Sequence, residues 1–103
     1  MTEKAFETKI RKFLESEGCY CFKVWGGGMQ KAGIPDLMVC CNGYFMALEI
    51  KGEKGKPSPL QLHHIEQIKK SNGVAVILYP KDFESFKTLI YRLKGGDLSA
   101  MEL

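Results

Sequence analysis

Asp36, Glu49 and Lys51 are the residues of this chain whose types and spacing could do chemistry together. Between the two acids stands Asn42-Gly43, the strongest short hairpin signal in a sequence, because both residues tolerate the positive φ of a type I′ turn. With a two-residue turn there, Cys41 faces Tyr44 and, counting back, Asp36 faces Glu49, Cβ atoms roughly 4.5–5.5 Å apart. Strand alternation then puts Asp36, Met38, Cys40, Phe45, Ala47, Glu49 and Lys51 on one face, and Leu37, Val39, Cys41, Tyr44, Met46, Leu48 and Ile50 on the other. Opposed like charges destabilise a sheet, so the acid pair calls for a shared proton or a cation between its members. Two carboxylates plus water and phosphate oxygens suit a hard divalent ion, Mg²⁺ or Mn²⁺. With Lys51 on the same face, the group offers charge neutralisation, a nucleophilic water and a leaving-group clamp, the needs of phosphodiester hydrolysis.

The surrounding elements must hold that hairpin in place. Residues 2–17 repeat Phe6, Ile10, Phe13 and Leu14 with helical spacing, and Gly18 is placed to end the helix. Residues 19–25 are aromatic and β-branched and are expected to form a strand, followed by a glycine-rich loop through Gly33. Strands over 37–41 and 44–51 form the hairpin, and both of its faces are apolar in the middle, so the sheet is covered on both sides. A polar loop over 52–57 leads to Ser58 as N-cap, Pro59 as first helical residue and Gln61 as the partner in a capping box. That helix is expected to run to about residue 72, with Gly73 as its stop. Residues 74–79 are a fully apolar strand, expected to be central in the sheet. Asp82 opens a last helix with Phe83, Phe86, Ile90 and Leu93 on one face. The fold class is α/β, a mixed sheet flanked by helices in the order α-β-β-β-α-β-α.

Ile34-Pro35-Asp36 followed by Glu49-Ile50-Lys51 resembles the PD-(D/E)XK nuclease superfamily, over about residues 3 to 80. Gly33-Ile34-Pro35-Asp36 and Ser58-Pro59-Leu60-Gln61 resemble its VRR-NUC branch, the virus-type replication and repair nucleases, in a standalone viral or phage-like form. The resemblance implies a restriction-endonuclease-like core and a metal-dependent DNA endonuclease. Asp36 and Glu49 would bind the metal, with the Ile50 carbonyl as a further ligand, and Lys51 would activate water or stabilise the transition state. It also implies a first-helix glutamate. Glu7 is the candidate, lying along the apolar row beside Ile10, and Glu3, Glu15 and Glu17 are its competitors. Gln61 resembles the branch's active-site glutamine, and its capping-box role is compatible with that. The implied substrate is branched DNA such as a Holliday junction. Two symmetric cuts by a chain with one site imply a homodimer. A flap nuclease and a non-catalytic DNA-binding module of the same fold are the alternatives.

The 103 residues, 45% hydrophobic and 26% charged, are those of one domain spanning 1–103. A net charge of +3 permits a polyanionic partner without demanding one. Lys23, Lys31, Lys54 and Lys56 flank the acid group as candidate DNA contacts, and Trp25 is a candidate for stacking, core or interface. The glycine run lacks the G-K-[ST] ending of a P-loop, so a nucleotide cofactor is not expected. Cys19, Cys21, Cys40 and Cys41 lack zinc-site spacing and are expected to be reduced thiols acting as small apolar side chains. His63 and His64, adjacent on a helix, are not expected to be catalytic. No apolar run is long enough for a membrane span and the first residues do not form a signal peptide, so an intracellular protein is expected.

Overall fold

The computed structural model describes residues 1–24 and 32–97. Its elements are α1 (Glu3–Ser16), β1 (Tyr20–Lys23), β2 (Leu37–Cys41), β3 (Tyr44–Ile50), α2 (Pro59–Lys70), β4 (Val74–Leu78) and α3 (Phe83–Lys94). This is the expected order, with a 3₁₀ turn over Pro80–Asp82 before α3. The strands form one mixed sheet in the order β1-β2-β3-β4, antiparallel except for β4, which runs parallel to β3.

The hairpin register is the one that Asn42-Gly43 dictates. Both turn residues have positive φ, 51° and 85°, and Cys41 faces Tyr44 while Leu37 faces Leu48. The alternation that follows sorts the two cores. Leu37, Val39, Cys41, Met46, Leu48 and Ile50 are buried on one face under Phe6, Ile10 and Leu14 of α1 and Phe86, Leu89, Ile90 and Leu93 of α3. On the other face Ala47 and Ala75 pack under Ile65 of α2, with Met38, Ile68 and Ile77 partly buried around them. Alanines on two neighbouring strands let α2 lie close to the sheet, and that closeness matters for the site.

Helix ends follow local chemistry, with two departures from expectation. Thr2 caps α1 by accepting the Ala5 N–H at 3.1 Å, and Gly18 takes the left-handed position after it at φ 77°. In α2 the left-handed residue is Asn72 (φ 63°), not Gly73. The Gly73 N–H closes on the Ile68 carbonyl at 2.9 Å, and a Cβ there would lie 2.8 Å from Ile68 Cγ2. Asn tolerates the left-handed turn, and glycine is required one residue later by close approach. Asp82 closes the 3₁₀ turn and its carboxylate accepts the Tyr79 N–H at 2.9 Å, so α3 starts at Phe83.

The larger correction concerns β4, which lies at an edge and not in the centre. Its apolar run reflects helices above and below it. An apolar sequence registers cover on the two faces and carries no information about hydrogen-bonded neighbours on the two sides.

Candidate functional site

Glu49 lies near the C-terminal end of β3, under the first turn of α2. It is 1% exposed, and Lys51, just beyond the strand, is 8% exposed. Lys51 Nζ stands 3.4 Å from Glu49 Oε2. Alternation puts both side chains on the α2 face, where the alanine row leaves room for them.

Asp36 sits one step before β2, beyond the last regular pair of the hairpin ladder. Its main-chain carbonyl accepts the Val24 N–H at 2.8 Å, which ties it to the chain leaving β1. Its Oδ2 accepts the Ile50 N–H, also at 2.8 Å. Asp36 therefore reaches Glu49 as a carboxylate folded onto the adjacent strand.

Gln61 forms the capping box and also touches Glu49. Its Oε1 accepts the Ser58 N–H at 2.8 Å, and its own N–H is received by Ser58 Oγ at 3.1 Å. Its Nε2 donates to Glu49 Oε2 at 3.0 Å. The capping box thus fixes which end of the amide faces the acid: the oxygen is committed to Ser58, leaving the NH₂ for the carboxylate.

Glu49 feels opposing influences. Burial pushes its carboxyl up, the Asp36 charge and a hydrogen bond with the Asp36 carboxyl push it further, and Lys51 pulls it down; the outcome is about 7. Its Oε1 is buried and has no hydrogen-bond partner. A buried carboxylate oxygen left unpaired beside a second carboxyl is costly unless it holds a proton or a cation.

The other expected site residues are placed as follows. Glu7 (α1) forms an ion pair with Lys23 (β1), 3.0 Å from Glu7 Oε2, and its described hydrogen bonds are both to that lysine. Among its competitors, Glu17 pairs with Lys94, while Glu3 and Glu15 are exposed. Lys54 and Lys56 are exposed on the loop after Lys51. Lys31, Trp25 and Gly26-Gly27-Gly28 lie outside the described residues. Cys19 and Cys41 are buried in the core, and burial, then contact with Cys41, raises the Cys19 thiol to about 12. Among the described residues, no three His, Cys, Asp or Glu side chains gather into a metal-binding cluster.

Two contributors were not visible in the sequence. His64 Nε2 is 3.0 Å from the Ala32 carbonyl, which places that nitrogen to donate and holds the segment leading to Asp36 against α2. Gly33, at φ 81°, lies so close to α2 that a Cβ would meet the Leu60 main-chain carbon at 2.9 Å. Both are contacts between elements far apart in sequence, and the only local sign was a glycine near the acid.

A helix-flanked mixed sheet with an Asp and a Glu-x-Lys at one end of its central hairpin defines a PD-(D/E)XK-type nuclease, of restriction-endonuclease-like fold. Within that class, the sequence profile of the archaeal Holliday junction resolvase (Hjc) matches residues 2–94, from α1 through α3, and the chain belongs to that family. A search of curated proteins found no match. Among the described residues, no helix is long and apolar enough to cross a membrane.

Proposed function

We propose that this chain is a divalent-metal-dependent endonuclease that cuts branched DNA, four-way junctions above all, and works as a homodimer. The observation that carries the reading is Glu49: buried, with Oε1 unpaired, between the Asp36 carboxyl, the Gln61 amide and the Lys51 ammonium. An orphaned carboxylate oxygen next to a second acid fits a divalent cation. Asp36 and Glu49, with the Ile50 carbonyl, would hold Mg²⁺ or Mn²⁺. Such an ion, when bound, neutralises phosphate charge and acidifies water.

The side chains divide the remaining work. Lys51 offers its ammonium to a non-bridging phosphate oxygen, where negative charge grows as water adds to phosphorus and the opposite P–O bond breaks. The attacking water gives up a proton to solvent and the departing oxygen takes one from it. Gln61 holds the Glu49 carboxylate in one orientation, and the Ile50 N–H does the same for Asp36. Glu7, ion-paired with Lys23, is the further acid proposed for the site. Lys23 and Lys31, with the exposed Lys54 and Lys56, contact the DNA backbone. Residues 1–103 act as one nuclease domain inside the cell. The VRR-NUC likeness of Gly33–Asp36 and Ser58–Gln61 is a finer placement proposed alongside the family membership.

Cleavage of a four-way junction, a flap, a splayed arm and plain duplex, each with Mg²⁺, Mn²⁺ or EDTA, tests the proposal. Metal-dependent cutting with the junction preferred is the expected result. No cleavage of any substrate with either ion, or undiminished cutting by Asp36→Ala, would overturn it.

A further inference from the structure

The first two turns of α2 bear on both acids. Gln61 donates to Glu49 Oε2 at 3.0 Å. One turn further on, His64 Nε2 lies 3.0 Å from the Ala32 carbonyl, which can only accept, so that nitrogen carries the proton. Beside these contacts Gly33 rests on the main chain of α2, where a Cβ would stand 2.9 Å from the Leu60 carbonyl carbon and 3.0 Å from the Gln61 nitrogen. The segment from Ala32 to Asp36 is stiff. Gly33 is pinned at φ 81° with no room to move toward the helix. Pro35 is buried, its ring fixes its own φ, and it biases Ile34 to extended backbone. At the far end the Asp36 carbonyl accepts the Val24 N–H and its Oδ2 accepts the Ile50 N–H, both at 2.8 Å. Asp36 is therefore held from two sides, by the strands on one and by α2 on the other.

We infer that His64 is a positioning residue for the acid pair: through Ala32 it fixes where the Asp36 carboxylate stands, and so how tightly the pair takes a divalent ion. The inference rests on the nuclease reading for the ion, and on the contacts of α2 for the geometry. A stiff segment passes a shift at one end to the other, and Ala32 is only four residues from the acid. Groups that orient a metal ligand from behind typically set its affinity by roughly 10- to 100-fold. The capping box fixes the first turn of α2, so Gln61 and His64 keep a constant relation on one rigid helix. One element thus orients Glu49 through its first turn and Asp36 through its second. What the Ala32 carbonyl needs is a donor at the right reach, and a glutamine amide can supply one in place of the imidazole.

The Ile50 amide, which donates to Asp36 Oδ2, reports the carboxylate without any metal or DNA. In the metal-free protein His64→Ala should speed hydrogen exchange at Ile50 about 10-fold, while the amides of α3 keep their wild-type rates. Mn²⁺ affinity, read by calorimetry, should fall about 10-fold in the same variant. His64→Gln should restore both. Gln67→Ala, exposed on the same helix, should change neither. Gly33→Ala pushes the segment off α2 by another route, so adding His64→Ala to it should have little further effect. Wild-type exchange at Ile50 in His64→Ala overturns the inference, as does unchanged Mn²⁺ affinity where wild type binds, or a Gln variant no better than Ala. Faster exchange throughout α3 as well would make His64 a residue of stability alone, and equally overturn it. Faster exchange confined to the segment around Ile50, beside a wild type that binds no Mn²⁺, would uphold the hold on Asp36 while refuting the metal-dependent nuclease reading.

Discussion

The two faces of the sheet show different uses of one hairpin. Under α1 and α3, the inward strand residues are apolar and, Cys41 apart, large, and they meet large apolar partners from two helices. Under α2 the buried strand residues are alanines, with Met38 and Ile77 only partly buried, and the helix contributes Ile65 and Ile68, so the packing is thin. The thin face is the one that takes in Glu49 and Lys51 and leaves Tyr20, Phe22 and Phe45 exposed. Packing is concentrated on the thick face, which frees the other to hold an expensive buried acid, Glu49, beside the half-buried Asp36.

The comparison breaks first if the thick face is not the stabilising one. Leu48→Ala removes a fully buried side chain there and should cost about 3–4 kcal/mol, read by urea unfolding. Ile65→Ala, on the thin face, should cost about 2 kcal/mol. Equal losses would remove the distinction.

Acid titration sharpens the picture of the thin face. The Glu49 carboxyl rises from its ordinary 4.5 to about 7, first through burial and then through Asp36. The folded state therefore binds more protons than the unfolded state between those values. The contribution of Glu49 to stability is fully present below 4.5 and is lost as pH rises through about 7. Without divalent ions, Glu49→Gln should match wild type in melting temperature at acid pH and exceed it at pH 8. Saturating Mn²⁺ should narrow that gap by stabilising wild type alone. A Glu49→Gln protein that melts below wild type at pH 8 would show that the carboxylate is not strained.

The smallest effects separate the two roles of Gln61. Ser58→Ala removes the cap and should cost about 1 kcal/mol of stability while leaving most cleavage intact. Gln61→Ala should cost a similar amount and also slow cleavage about 10-fold, because the Glu49 carboxylate loses its donor. Identical kinetics in the two variants would reduce Gln61 to a capping residue.

What the sequence displayed depended on the range of each signal. Asn42-Gly43 sets a register through two adjacent residues, so the meeting of Asp36 with Glu49 could be counted out in advance. The folding of the Asp36 carboxylate back onto the Ile50 N–H could not be counted, because it lies beyond the regular ladder. The capping box of Gln61 was legible because it is local, and its contact with Glu49 follows because the acid lies on the face that α2 covers. The edge position of β4 was hidden, as its apolar run reports helices and not strands. Helical periodicity gave Glu7 a direction and no partner, and the structure pairs it with Lys23. His64 and Gly33 act across α2 and the loop before β2, a contact for which no periodicity prepares the reader.

The claim that the Asp36–Glu49 pair is a metal site is tested most directly by titrating Mn²⁺ into the DNA-free protein near pH 7 in a calorimeter. Wild type is expected to bind at the site with release of protons, as Glu49 gives up the proton that its buried position favours. Asp36→Ala should lose that binding and the proton release with it. Equal affinity and equal proton release in wild type and Asp36→Ala would contradict the account.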